Sequence, residues 1–244
     1  MKPLLISFII PAFNEEKLLP QTIAAIKKAS EVFHKLRWKT ELIVTDNNST
    51  DNTAAIARNC GAQVVFEPLN GIARARNKGA AAAHGDWLIF IDADSIPSEA
   101  LFRDVSRAIH SNQVLGGGST LNFDFKNLFG ICSSHIWNAI SRLFKFAAGS
   151  FIFCEASSFR ELKGFNDTMY AAEEINFSRR LYSLARQRGK SVVILSKNPM
   201  MTSGRKLKFH SSWEVTCLLL RFLLRLPIAI HSRAACDFWY DGRR

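Results

Sequence analysis

Short apolar runs alternate with longer segments whose apolar residues recur at helical spacing through the first half of the chain. Residues 4–10, 41–45, 63–66 and 87–91 read as strands. Leu18, Leu19, Ile23 and Ile26 put an apolar stripe on a helix over about 16–33. A polar turn over 46–51 precedes a second helix, capped by Ser49 or Thr50, filled by residues 54–57 and stopped at Gly61. Alanines fill a third helix over 71–84. Pro97 opens a fourth, ending near His110. Residues 114–120 form a further strand, loosened by three consecutive glycines. Strand and helix thus alternate four times before a last strand. This predicts an α/β fold: one open, mostly parallel twisted sheet flanked by helices.

The rhythm then breaks. Residues 129–146 read as helix, 151–154 as a strand and 157–162 as a short helix closed by Gly164. A helix over 173–188 carries Phe177, Leu181 and Leu184 on one side. Residues 192–195 read as an edge strand, followed by an irregular segment over 197–202. One domain is expected over 1–205, with halves 1–120 and 121–205. A basic amphipathic tail follows over 206–244, in which Arg221 and Arg225 interrupt the apolar run and share one helical face. Its uncharged runs are far shorter than the roughly 20 residues that span a bilayer.

Composition adds direction. The chain has 244 residues, 48% of them hydrophobic, and a formal net charge of +11. Such a balance suits an anionic partner: nucleic acid, a nucleotide, or an anionic membrane surface. No helix-turn-helix or single-strand aromatic platform is visible, so nucleic acid is set aside. Five scattered cysteines form no close ligand pair, which fits a reducing compartment without disulfides or zinc. The tail's apolar residues and arginines suit the headgroup zone of a membrane. The expected location is cytoplasmic, peripheral at the inner face of the membrane. The same tail could instead pack on the domain or pair two subunits as a homodimer.

Polar clusters fall where a parallel sheet gathers ligands, beyond the carboxyl ends of its strands. Asn14 and Glu15 follow the first strand. Asp46, Asn47, Asn48 and Asp51 follow the second. Arg74, Arg76 and Lys78 lie after the third, and Asp92-Ala93-Asp94 after the fourth. Two carboxylates one residue apart can hold Mg²⁺ or Mn²⁺, which complete their coordination with phosphate oxygens and water. An arginine fork suits a diphosphate, and Arg76 is chosen over Arg74. Asp46 could accept hydrogen bonds from a base ring or cap its own turn. Glu173-Glu174 could be favourable acids in a first helical turn or supply a general base for an attacking hydroxyl. The leaving diphosphate needs its charge met by a cation or fixed donors. Neither Gly-x-Gly-x-x-Gly nor a Walker lysine motif occurs, which disfavours a nicotinamide dehydrogenase or P-loop NTPase.

Taken together, these motifs resemble those of family 2 inverting glycosyltransferases with the Rossmann-like, nucleotide-sugar-binding A-type fold. The residues that carry the likeness are Pro11-Ala-Phe-Asn14-Glu15, Asp46-Asn-Asn-Ser49-Thr-Asp51, Ala75-Arg76-Asn77-Lys78-Gly79, Asp92-Ala93-Asp94, Gly164-Phe165 and Glu173-Glu174 with Arg180-Leu181. It covers roughly residues 5–205. The resemblance implies that Pro11, Asn14, Glu15 and Asp46 surround the donor's base and ribose. It implies that Asp92 lies near ribose and metal, that Asp94 ligates Mg²⁺ or Mn²⁺, and that Glu174 is the base. The usual second acid is aspartate, so the longer glutamate leaves room for Glu173 to take part. Arg205, in Ser203-Gly204-Arg205-Lys206, resembles a diphosphate-contacting loop. The implied donor is a nucleotide-diphosphate sugar, UDP favoured over GDP, and the acceptor a glycan or lipid-linked hydroxyl. The alternatives are a nucleotidyltransferase acting on sugar phosphates and a non-catalytic nucleotide-sugar-binding protein.

Overall fold

The fold is that of a computed structural model, which describes residues 3–124, 128–169 and 171–204. The element order is β1 (Leu5–Ala12), α1 (Leu19–Lys35), β2 (Lys39–Asp46), α2 (Thr53–Asn59), β3 (Gln63–Phe66), α3 (Ile72–Ala81), β4 (Trp87–Ile91), β5 (Ser95–Ile96), α4 (Glu99–His110), β6 (Val114–Phe123), α5 (Leu128–Phe144), β7 (Phe151–Glu155), α6 (Ala156–Glu161), α7 (Glu173–Gln187) and β8 (Ser191–Thr202). The strands form one sheet in the order β3-β2-β1-β4-β7-β6-β8-β5.

The unbroken apolar run of β4 follows from its central position. Trp87, Ile89 and Ile91 point into the core on one face, with Phe8, Phe33 and Phe102 from β1, α1 and α4. Leu88 and Phe90 point to the other face, with Phe159, Phe165 and Phe177. Both faces are covered, so neither alternate set can be polar. Burial of side chains this large stabilises by about 1.5–3 kcal/mol each.

The mostly parallel sheet is as expected, with one insertion. β1, β2, β3 and β4 are mutually parallel, and β6 and β8 are parallel. β7 runs antiparallel between β4 and β6, so the strand that follows α4 does not pair with β4. The glycines of β6 serve close packing rather than looseness. A Cβ at Gly117 would lie 1.8 Å from the carbonyl oxygen of Val193 on β8.

Several boundaries differ from expectation. Pro11 lies inside β1, paired with Thr45; the ladder to β4 has already ended at Ile9, so the missing N–H of proline costs no bond on that side. Helix α2 starts at Thr53, beyond Ser49 and Thr50; its first amide donates to Asp51 Oδ1 at 2.9 Å. Residues 197–202 are strand rather than irregular, since β8 continues alongside β6 to Thr202. Nor is β8 an edge over its full length, because β5 pairs with Met201 and Thr202. The expected tail, 206–244, with Arg221 and Arg225, lies outside the described residues, as does Arg205. Among the described residues no helix is long and apolar enough to cross a membrane.

Candidate active site

The loops after β1 and β2 are laced together. The Asn14 amide donates to Ser49 Oγ at 3.0 Å, and Asn14 Oδ1 accepts from the Thr50 amide at 2.8 Å. The Glu15 amide donates to Thr53 Oγ1 at 2.7 Å. Asn14 is held at φ 52°, a left-handed conformation that asparagine tolerates. Asp46 ends β2 and accepts from the Ser49 amide at 3.1 Å, so its turn-capping role is realised through one carboxylate oxygen. Asn47 reaches across to the next loop. Its amide group donates to the carbonyls of Glu67 and Leu69, and its oxygen accepts from the Gly71 amide that begins α3.

Helix α3 explains its own motif residue by residue. Asn77 donates to the Phe165 carbonyl at 2.8 Å and accepts from the Phe165 amide at 2.9 Å. Gly79 lies against the sheet, where a Cβ would sit 2.5 Å from Ile9 Cγ2. Arg76 points under the sheet's end and is 1% exposed. Its Nη1 donates to Glu173 Oε1 at 2.7 Å. Its Nη2 donates to Asp92 Oδ1 at 3.0 Å and to the Gly149 carbonyl at 2.9 Å.

This geometry corrects the role expected of Arg76. A guanidinium buried so fully and engaged by two carboxylates is not presented to a diphosphate. It binds two acidic clusters to each other instead. Burial works to lower its pKa, but the charges of Asp92, Glu173 and Glu174 outweigh that effect and raise it. Arg74 is half-exposed and pairs with Asp167 at 3.5 Å.

Helix α7 begins at the acidic pair, after Ala172 at φ 61°. A β-carbon in this region is strained, and such strain persists only where surroundings impose it. Glu173 is 4% exposed and anchored on Arg76. Glu174 is only half-buried as a residue, yet desolvation of its carboxyl is the largest influence on it. With the Glu173 charge and a hydrogen bond between the two carboxyls, it raises the Glu174 pKa to about 8, against the pull of Arg76. The two acids therefore differ: one is a buried anchor and the other an acid that holds its proton near neutral pH.

The Asp92-Ala93-Asp94 turn rests on α1, where Thr22 Oγ1 donates to the Ala93 carbonyl at 2.8 Å. Ala93 is buried, while Asp92 and Asp94 keep part of their surface open. The Asp92 amide approaches the Ser150 carbonyl at 3.4 Å, and the Ser203 amide donates to the Asp94 carbonyl at 3.1 Å. The start of the Ser203-Gly204 segment is therefore beside Asp94, although Arg205 itself is not described. Among the described residues no group of three ligating side chains forms a complete metal cage. Two carboxylates at a strand end, one with an oxygen engaged by Arg76, suit a cation that takes its other ligands from a diphosphate and water.

The structure thus brings Arg76, Asp92, Glu173 and Glu174 into one cluster, and Asp94 lies two residues beyond Asp92 on the same turn. Pro11, Asn14, Glu15 and Asp46 lie in and beside the laced loops after β1 and β2. Sequence reasoning gave no role to Asn47, Asn77 or Gly149. The first two stand inside polar clusters and could have been suspected from the turn chemistry of asparagine. Gly149 carries no local signal at all.

Similarities to known proteins agree with this architecture. Residues 7–160 match the model of Glycosyl transferase family 2. An uncharacterized glycosyltransferase of Mycobacterium bovis is 39% identical over 89 residues, 36% of each chain. A 4,4'-diaponeurosporenoate glycosyltransferase of Staphylococcus haemolyticus is 40% identical over 96 residues, covering 36% of this chain and 24% of that one. The matched stretch therefore spans about a third or less of these relatives. Glucosyl-3-phosphoglycerate synthase from Mycobacterium tuberculosis, solved with Mn²⁺, UDP and glucosyl-3-phosphoglycerate, superposes with a TM-score of 0.61 at 18% identity, covering 96% of this chain and 80% of that one. That likeness is one of fold. The extent of the family match, joined to the sheet order and the site it builds, is decisive: the chain belongs to glycosyl transferase family 2.

Proposed function

We propose that the chain is an inverting glycosyltransferase, moving a sugar from a nucleotide-diphosphate sugar to a hydroxyl acceptor. The observation that carries this reading is the Arg76 bridge. It joins Asp92, at the end expected to meet the donor, to Glu173, whose neighbour Glu174 is the base in this reading. Asp46, Pro11, Asn14 and Glu15 hold the base and ribose. Asp94 and Asp92 hold Mg²⁺ or Mn²⁺, and Arg205 contacts the diphosphate. The cation, when bound, offsets the charge of the leaving diphosphate.

Glu174 takes the proton from the acceptor hydroxyl as its oxygen attacks the anomeric carbon. A carboxylate with a pKa near the working pH suits that task. Glu173 positions α7 through Arg76 and keeps Glu174 basic through its charge. Attack from the face opposite the diphosphate inverts the anomeric centre. Holding Glu173, the neighbour of the base, and Asp92 on one buried arginine fixes the distance between acceptor and donor sides, as preorganised catalysis requires.

The solved relative carrying UDP and Mn²⁺ supports a UDP-sugar donor and a manganese or magnesium ion. The relative named for 4,4'-diaponeurosporenoate supports a lipid-like acceptor. In this reading the acceptor is met at the inner face of a membrane. A thermal-shift panel of nucleoside diphosphates with and without Mn²⁺ tests donor and metal together. UDP with Mn²⁺ at 100 times its dissociation constant should stabilise by about 2.7 kcal/mol. No stabilisation by any nucleoside diphosphate, with either cation, overturns the reading.

A further inference from the structure

Helix α5 presents an apolar stripe to the outside. Ile136, Ile140, Leu143 and Phe144 stand at i, i+4, i+7 and i+8, which places them within one arc of the helix. They are exposed, Ile136 at 62% and Leu143 at 75%. The opposite side holds the helix on the domain. Asn138 clamps the backbone of Leu121 through two hydrogen bonds of 2.9 Å, and Ser141 is fully buried. An exposed stripe of this kind marks an interaction surface rather than a core left unfinished.

Charge indicates what covers it. From Phe125 to Cys154 the sequence contains no acid, while it contains Lys126, Arg142 and Lys145. A cation also stands at the end of the stripe. Phe144 stacks on Phe146 with ring centroids 5.6 Å apart, and the Arg179 guanidinium lies 5.3 Å over the Phe146 ring. Two copies of this face would bring like charges together. An anionic bilayer supplies both an apolar interior for Ile136, Ile140, Leu143 and Phe144 and negative headgroups for the cations.

We infer that α5 is a membrane-docking helix that lays this stripe into an anionic lipid surface. The inference deepens the proposed transferase function, since it states where a lipid-linked acceptor is presented. The end of α5 runs directly into the site: Gly149, whose carbonyl accepts from Arg76, is five residues beyond Phe144. Five residues span at most about 18 Å, so a headgroup at the docked surface is near the acidic cluster.

The test uses the full chain, so that the tail beyond Gly204 is present in every sample. Flotation with vesicles of phosphatidylcholine alone, or with one-third phosphatidylglycerol, compares wild type with the double variant I136E/L143E and with the double variant R142E/R179E. Wild type should float with the anionic vesicles and much less with the neutral ones. I136E/L143E should lower the bound fraction at least about ten-fold, and R142E/R179E should lower binding to anionic vesicles only. Because all four positions are exposed, thermal midpoints and stabilisation by UDP with Mn²⁺ should match wild type. That second readout separates the two ideas: lost flotation with retained UDP binding supports docking, and absent UDP binding in wild type speaks against the transferase reading alone. Undiminished flotation of I136E/L143E, or no flotation of wild type, overturns the inference. So does a wild-type dimer that I136E/L143E dissociates without any vesicle binding, which assigns the stripe to self-association.

Discussion

Arg76 and Glu173 meet at 2.7 Å across 97 residues of sequence, and both are buried. The same guanidinium holds Asp92. A buried charge pair is expensive to desolvate, and removing one partner leaves the others uncompensated. The family signature around Arg76 is therefore a structural joint, with Arg76 reaching the acids, Asn77 reaching Phe165 and Gly79 admitting the sheet.

Arg76→Ala should destabilise the fold by about 3–5 kcal/mol, as loss of one partner from a buried ion pair does. Urea unfolding measures it. Arg76→Lys should recover part of that stability but not all, because an ammonium cannot bond Glu173, Asp92 and the Gly149 carbonyl with the same planar fork. Equal stability of Arg76→Ala and wild type would contradict the joint.

Glu174→Gln should keep stabilisation by UDP with Mn²⁺ and lose transfer by about 10²–10⁴-fold, the usual contribution of a positioned base. Product release from a labelled nucleotide sugar measures the second quantity. Full activity in this variant moves the base to another residue.

Asp94→Asn should leave the urea midpoint near that of wild type, since Asp94 keeps part of its surface open. The Mn²⁺-dependent part of UDP stabilisation should disappear. A preserved manganese effect removes Asp94 from the metal site.

The raised pKa of Glu174 has two consequences of defined sign. It stands at about 8 when folded against an ordinary value of 4.5. Between these values the folded chain holds more protons than the unfolded chain. The associated stability is fully present below about 4.5 and is lost as pH rises through about 8. The urea midpoint should fall between pH 6 and pH 9, and fall less in Glu174→Gln. In the free enzyme, kcat/KM should rise with an apparent pKa near 8. Glu173→Gln should shift that limb downward, because the Glu173 charge helps to raise it. A limb unmoved by Glu173→Gln would show that the two carboxyls are not coupled.

Gly164→Ala should destabilise by about 1–3 kcal/mol. Gly164 has φ +68°, and an added Cβ would lie 2.5 Å from Asn77 Oδ1. Thermal unfolding of this variant, with no shift, would argue against the contact between α3 and the segment before α7.

Local pattern carried much of the architecture. The runs at Gln63–Phe66 and Trp87–Ile91 are strands at those limits, because a short apolar run covered on both sides has few other solutions. Strand ends likewise announced the polar clusters, since parallel strands deliver their carboxyl ends to one edge. The placement of β7 was hidden, because pairing partners are chosen by contacts distant in sequence. Phe151–Glu155 reads the same whether it sits at an edge or between β4 and β6.

The division is clearest within the site. The residue types and spacings singled out Asp46, Arg76, Asp92, Asp94, Glu173 and Glu174 as candidates, and the motifs they form carried the resemblance to the family. Only the tertiary structure decided that Arg76 is buried rather than presented, and that Glu173 is the anchored acid. Adjacent glutamates are chemically identical in a sequence. What separates them is which one the fold bonds to the buried Arg76 guanidinium, and that depends on a contact closed across 97 residues.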